Sequence, residues 1–272
     1  MKQFFKYVLA SFVGLLIFTI ISFLILVAIG AIVSSKKEAK IAENSVLKLK
    51  LNKPIVERDI DDPFSDLDLP FKSSPGGIGL RELTEALANA KLDDKIKGIY
   101  LELKIIPANF ASLEEIRNAL LDFKSSGKFI TAYGEVYSEG AYYLASVADR
   151  IFLNPVGILE FNGLNAELWF LKGTLEKLEI EPEIFRVGDY KSAVEPLIRE
   201  NMSEANRIQV TSFLNSLYDH YLKNVSESRS IKLSTLENIS DAMLIYSADD
   251  ALKLGLITDI AYYDEVLDSI KK

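Results

Sequence analysis

The chain has 272 residues, with 31 Lys+Arg against 39 Asp+Glu and a formal net charge of −8 at pH 7. That length suits one large α/β domain or two small ones. The absence of cysteine excludes a disulfide framework and zinc-thiolate chemistry, the single histidine excludes a multi-histidine metal cluster, and the acidic balance argues against a nucleic-acid phosphate grip, which needs clustered cations.

The N-terminus carries the clearest physical signal. From Tyr7 to Ser35 no residue is charged: YVLASFVGLLIFTIISFLILVAIGAIVSS. Crossing a bilayer core takes about 20 apolar residues, whereas a signal-peptide core runs about 7–15. The run therefore predicts a transmembrane anchor over residues 7–34, after a short N-terminal segment, 1–6. A cleaved signal peptide is the competing reading, since Ala28-Ile29-Gly30 offers small residues at suitable spacing. Lys2 and Lys6 on one side face Lys36, Lys37 and Lys40 on the other, so the positive-inside rule does not set the orientation. Residues 35–44 read as a polar tether, and 45–272 as one α/β domain.

Within that domain, Leu47, Leu49 and Leu51 alternate with Lys48 and Lys50, the period of a half-buried strand. Asn52 to Gly79 holds four prolines, three glycines and a concentration of Asp, with no apolar period; it reads as a mobile loop or a substrate or subunit contact. From Leu80 onward helix and strand patterns alternate. Leu80, Leu83 and Leu87 mark a helix face, and Ile99, Leu101 and Leu103 a strand. Ser112-Leu-Glu-Glu115 reads as a capping box opening a helix that Gly127 stops. Strands are predicted at Phe129–Glu135 and Arg150–Leu153, the latter ended by Asn154-Pro155, with a small-residue helix at Ser138–Val147 between them. A further helix over Trp169–Leu178 precedes a strand leading to Gly188. Ser203 to Ser228 is the longest helical pattern, with a stripe of Val210, Leu214, Leu217, Tyr221 and Val225. His220 lies one residue off that stripe, as a partly exposed structural histidine. A helix from Ser247 to Gly255 and an amphipathic segment, Tyr263–Lys272, complete the chain. Such alternation predicts α/β layers with mainly parallel strands.

Lys191 stands just past a glycine turn, in EIFRVGDYKSAVEPLIRENMS (Glu183–Ser203). A lysine acts as a base only when its amine is neutral, which burial favours because desolvation disfavours the charged form. By spacing alone it reads as a surface lysine. Resemblance changes that reading. VGDYKSAVEPLIRENMS, AYGEVYSEGAYYLASVADRIFLNPVG (Ala132–Gly157) and LRELTEALANAKLDDKIKGIYLEL (Leu80–Leu103) together resemble the N-terminal repeat of the signal peptide peptidase A family, in its long, two-repeat form. The resemblance implies a ClpP/crotonase-like fold built of ββα turns and a serine endopeptidase that degrades remnant signal peptides. It also implies Lys191 as general base of a Ser/Lys dyad, no cofactor or metal, and a homo-oligomer such as a tetramer. The implied location is the inner membrane, single-pass, with a cytoplasmic N-terminus and a periplasmic domain.

One part of the family's pattern is missing. Single-repeat relatives place the nucleophile in a segment resembling SGGYY at a helix N-terminus; here the matching stretch is Ser138-Glu139-Gly140-Ala141-Tyr142-Tyr143. Glu139 fills the nucleophile's slot and Ser138 lies one place early, about 100° of helical rotation away. The nucleophilic serine is therefore expected on a C-terminal repeat or second chain. Ser192, adjacent to Lys191, points away from it in an extended or turn segment. Glu195 would pair with Lys191 in a helix, but Pro196 disfavours helical geometry there, leaving Arg199 or Arg186 as alternative partners. The competing readings are a non-catalytic scaffold or docking domain of the same fold, and a crotonase-like acyl-CoA enzyme, for which the expected carboxylates and oxyanion glycines are not found.

Overall fold

The computed structural model describes residues 2–34, 41–58, 77–185, 187–188 and 190–271. The chain divides into two units, one carrying the N-terminal helix and the other an α/β body.

Helix α1 (Lys2–Ser34) contains a stretch, Gln3–Ile25, with mean hydropathy 2.7 and no burial, long and apolar enough to cross a membrane. Its 23 residues rise about 35 Å at 1.5 Å each, against a hydrocarbon core of about 30 Å. Phe4, Phe12, Leu16 and Phe23 all stand exposed.

The α/β body is built on a five-stranded sheet, β1 (Ser45–Lys50), β4 (Ile96–Leu103), β5 (Phe129–Tyr137), β6 (Arg150–Leu159) and β7 (Asp259–Ile260), every neighbouring pair parallel and in that order. Strand order follows chain order. Because β–crossover–β connections are almost always right-handed, such an order stacks the connecting helices on one face. There Ile99, Leu101, Ile130, Ala132, Ile151 and Leu153 join a continuous core with α2 (Leu80–Leu92), α3 (Phe110–Lys124) and α4 (Glu139–Ala145). The opposite face carries a smaller cluster of Tyr100, Tyr133 and Phe152 against Val266 of α10 (Tyr263–Lys271). Strands covered on both faces read as near-continuous apolar runs, as IKGIYLEL does.

Two short strands, β2 (Ile55–Val56) and β3 (Ile78–Gly79), pair in parallel across the proline-rich loop; residues 59–76 of that loop lie outside the described residues. After β6 come α5 (Lys172–Lys177), a 3₁₀ turn (Ser192–Val194) and α6 (Glu195–Ile198). The last helices before β7 are α7 (Glu204–Arg229), α8 (Leu233–Asp241) and α9 (Ala248–Lys253). Ser138, Ser203 and Ser247 cap α4, α7 and α9 by accepting the N–H three residues on.

Four sequence expectations need correction. The cap of α3 is Asn109, whose side chain accepts from Ser112 N, not Ser112 itself. Strand β6 does not stop at Asn154-Pro155. It passes through a bulge, where residues 154–157 face Glu135 alone, and pairs again at Ile158 with Val136; a proline is tolerated inside a bulge because no ladder N–H is needed. The helix expected at Trp169–Leu178 is confined to α5. The strand expected before Lys191 does not form, since the described residues of 181–187 have no ladder partner. Helix α8 and strand β7 went unforeseen.

Candidate active site

Strand β5 delivers the chain to the N-terminus of α4, a helix whose residues Ala141 to Ala145 are all buried. Tyr142 anchors it by donating to Leu256 O at 2.7 Å, and Tyr137 just before it donates to Phe152 O at 3.0 Å. Ser138 has its hydroxyl engaged: Oγ accepts from Ala141 N at 3.3 Å and donates to Lys104 O at 3.4 Å. Glu139, half-buried, turns the other way. Its Oε1 accepts from the successive backbone donors Asn162 N (3.0 Å) and Gly163 N (2.7 Å). Gly163 has φ of +92°, a left-handed conformation that suits glycine and aims both N–H groups at one anion. Desolvation pushes the Glu139 carboxyl above its ordinary value, and the two backbone donors offset this only in part.

Lys191 is exposed and sits immediately before the 3₁₀ turn. It lines an apolar groove of about 680 Å³ formed by Phe185, Val187 and Tyr190 on one side and by Asn206, Val210 and Phe213 of α7 on the other. Phe185 is 92% exposed, so this wall is open.

Glu195 departs from expectation. It is helical (φ −55°, ψ −39°), with Pro196 at the second position of α6, where a missing N–H breaks no intrahelical bond. Its buried carboxylate accepts from Ser203 N (3.0 Å), Ser203 Oγ (2.5 Å) and Asn206 Nδ2 (3.0 Å) at the start of α7. Desolvation pushes this carboxyl up, but the Ser203 and Asn206 donors and the charge of Arg199 together outweigh it and hold the pKa below the ordinary value. Arg186 lies outside the described residues.

Two features carried no sequence signal. Arg117, only 2% exposed, donates from Nη1 to Tyr143 O and Ser146 Oγ and from Nη2 to Asn224 O and Ser228 Oγ. Beside it, the Tyr143 hydroxyl donates to Glu114, which also meets His220 Nε2 at 3.1 Å. His220 is partly exposed, in keeping with its place beside the stripe. Among the described residues no cluster of three or more His, Asp or Glu could hold a metal ion.

An all-parallel sheet in chain order, with a short buried helix rising from its central strand, defines a mixed α/β domain of the ClpP/crotonase-like class. Residues 122–272 match Peptidase family S49, and the chain belongs to that family. It is 35% identical over 253 residues to Protease 4 of Haemophilus influenzae, covering 87% of this chain and 40% of that protein. It is also 35% identical over 196 residues to the chloroplastic serine protease SPPA of Arabidopsis thaliana, covering 72% of this chain and 29% of the relative. Protease 4 of Salmonella typhi is 42% identical over 153 residues, 56% of this chain and 25% of the relative. The chain thus spans less than half the length of each of these relatives.

Proposed function

We propose that this chain is the lysine-bearing part of a membrane-anchored serine endopeptidase that degrades remnant signal peptides, with Lys191 as the general base. The observation that carries the reading is the occupancy of the α4 entrance. There Glu139 sits bonded to Asn162 and Gly163, and the Ser138 hydroxyl is spent on capping, while Lys191 opens onto an apolar groove. A carboxylate in that slot cannot transfer an acyl group and would repel an oxyanion. The nucleophile therefore comes from a serine-bearing repeat or second chain closing over the groove, which desolvates the Lys191 amine.

In the assembled site the serine Oγ gives its proton to Lys191 Nζ as the Oγ–C bond forms, and backbone donors of the serine-bearing module hold the oxyanion. The ammonium then protonates the leaving amine as the C–N bond breaks. Water next adds to the acyl-enzyme, with Lys191 again taking the proton, and the serine leaves reprotonated. Residues 7–34 anchor the chain in the inner membrane with 1–6 in the cytoplasm, 35–44 act as tether, and 45–272 form a periplasmic domain within a homo-oligomer, so that apolar peptides in the bilayer reach the groove.

The exposure of Lys191 favours a second reading, a non-catalytic scaffold or docking domain. Pairing the full chain with a serine-bearing S49 module and assaying peptide cleavage separates the two. Loss of cleavage in Lys191→Ala supports the peptidase reading, and retained cleavage supports the scaffold.

A further inference from the structure

We propose that Glu195 is a positioning residue that braces the Lys191 turn against α7 and so sets the width of the groove between them. The inference rests on the reading of Lys191 as the base. Glu195 is 1% exposed. Its backbone N–H bonds to Ser192 O, closing the turn that begins directly after Lys191. Its carboxylate reaches the other wall, taking the Ser203 N–H and hydroxyl and the Asn206 side-chain amide. Asn206 is shared, since it both donates to the brace and lines the groove opposite Lys191. Ser203 is shared as well: its Oγ donates to Glu195 and caps α7 by accepting from Asn206 N at 3.2 Å. A negative charge at a helix N-terminus is favourable because the unpaired N–H groups there carry partial positive charge. One carboxylate thus ties the first turn of α7 to the backbone four residues from the reacting amine.

A well-packed apolar residue serves stability at such a site about as well as a buried charged group does. What the charged brace adds is direction. Its three donors approach from fixed positions on α7, so the turn can dock in one register only.

The test uses the full chain with the variants Glu195→Met and Glu195→Gln. Glu195→Met fills the volume and removes both acceptor oxygens, whereas Glu195→Gln keeps one oxygen for Ser203 N and Asn206 Nδ2 and turns its NH₂ toward Ser203 Oγ. Hydrogen exchange on the chain alone should become about tenfold faster across residues 190–199 in Glu195→Met, with Phe129–Tyr137 unchanged, and should lie between that variant and wild type in Glu195→Gln. With a serine-bearing module added, Glu195→Met should lose roughly 10- to 100-fold in kcat with KM little altered, and Glu195→Gln should recover part of the loss. Exchange that is unchanged, or faster everywhere alike, overturns the brace. So does a Glu195→Gln variant no better than Glu195→Met. Full cleavage by Lys191→Ala would instead remove the base reading, while the exchange pattern still decides whether Glu195 holds the turn.

Discussion

Arg117 lies against the ring of Tyr143, with Cζ 4.6 Å from the ring centroid, while its Nη1 donates to the backbone carbonyl of the same tyrosine at 2.7 Å. From α3 the guanidinium therefore holds the end of α4 and, through Asn224 O and Ser228 Oγ, the last turns of α7. These are the helices that bear on the two halves of the site. The N-terminus of α4 presents Glu139, and that of α7 receives Glu195. Methionine at this position fills the volume but removes the donor that Tyr143 O, Ser146 Oγ, Asn224 O and Ser228 Oγ share, although Tyr143 O keeps the Ser146 hydroxyl at 2.9 Å. Arg117→Met should lower the unfolding free energy by about 1–3 kcal/mol in urea denaturation; no loss means that the apolar side chain offsets the missing hydrogen bonds.

Glu195 makes a pH-dependent contribution of definite sign. Its folded pKa is depressed below the ordinary 4.5 by the Ser203 and Asn206 donors. The stability it supplies is fully present above that ordinary value and is lost as pH falls through the folded pKa. Wild type should thus exceed Glu195→Gln in stability at pH 7, with the gap narrowing only below about pH 4.5. A gap independent of pH from 7 to 3 would count against an ionised carboxylate here.

Glu139 has the opposite sign. Desolvation raises its folded pKa above 4.5, so the folded state binds a proton more readily than the unfolded chain. Stability linked to this group is greatest below the unfolded value and declines as pH rises through the raised folded value. Glu139→Gln keeps an oxygen for Asn162 N and Gly163 N yet stays neutral. Across a denaturation series from pH 4 to 8 it should gain on wild type as pH rises, and a constant difference would contradict the buried-acid assignment.

What the sequence revealed depended on whether a residue's role was local. Leu80, Leu83 and Leu87 announced α2 because the helical period is written into neighbouring positions, and the helical patterns of α4, α7 and α9 opened at Ser138, Ser203 and Ser247, whose bonded N–H lies three residues on. Asn109 was hidden by Ser112, which has the capping chemistry at the third helical position. Arg117 carried no signal, since its acceptors lie 26 or more residues further along the chain. At Glu195 a local rule misled. The residue before proline is disfavoured in the helical region, but the three donors on α7 hold it there. The run before Lys191 had the composition of a strand, but its described residues have no ladder partner.

Gly157 is hemmed in by two backbone carbonyls and one side chain. A Cβ there would lie 2.7 Å from Glu135 O, 2.7 Å from Leu153 Cδ1 and 2.8 Å from Asn154 O, within the bulge that lets β6 pair again with the end of β5. Neither carbonyl can move without opening the pairing of Val136 with Ile158, which leads the chain into Ser138. Gly157→Ala should cost about 1–3 kcal/mol by overpacking and should speed amide exchange at Val136 and Tyr137 more than at Ile130. Uniform exchange along β5 would show that the bulge absorbs the methyl group.

Lys191→Ala separates chemistry from folding because the side chain is exposed in this chain. Its unfolding free energy should match wild type within about 0.5 kcal/mol, the usual range for surface substitutions. In an assembly with a serine-bearing module, removing a general base should reduce peptide cleavage by about 10²–10⁴-fold, and Lys191→Arg should not restore it, because a guanidinium stays protonated. Acylation of the partner's serine by a fluorophosphonate should slow in parallel, since that reaction also needs the hydroxyl proton removed. The isolated chain should remain unlabelled by the same probe, because Ser138 is held as a cap with its hydroxyl on Lys104 O. Labelling of Ser138 in the isolated chain would place the nucleophile here after all and overturn the division of the dyad between two modules.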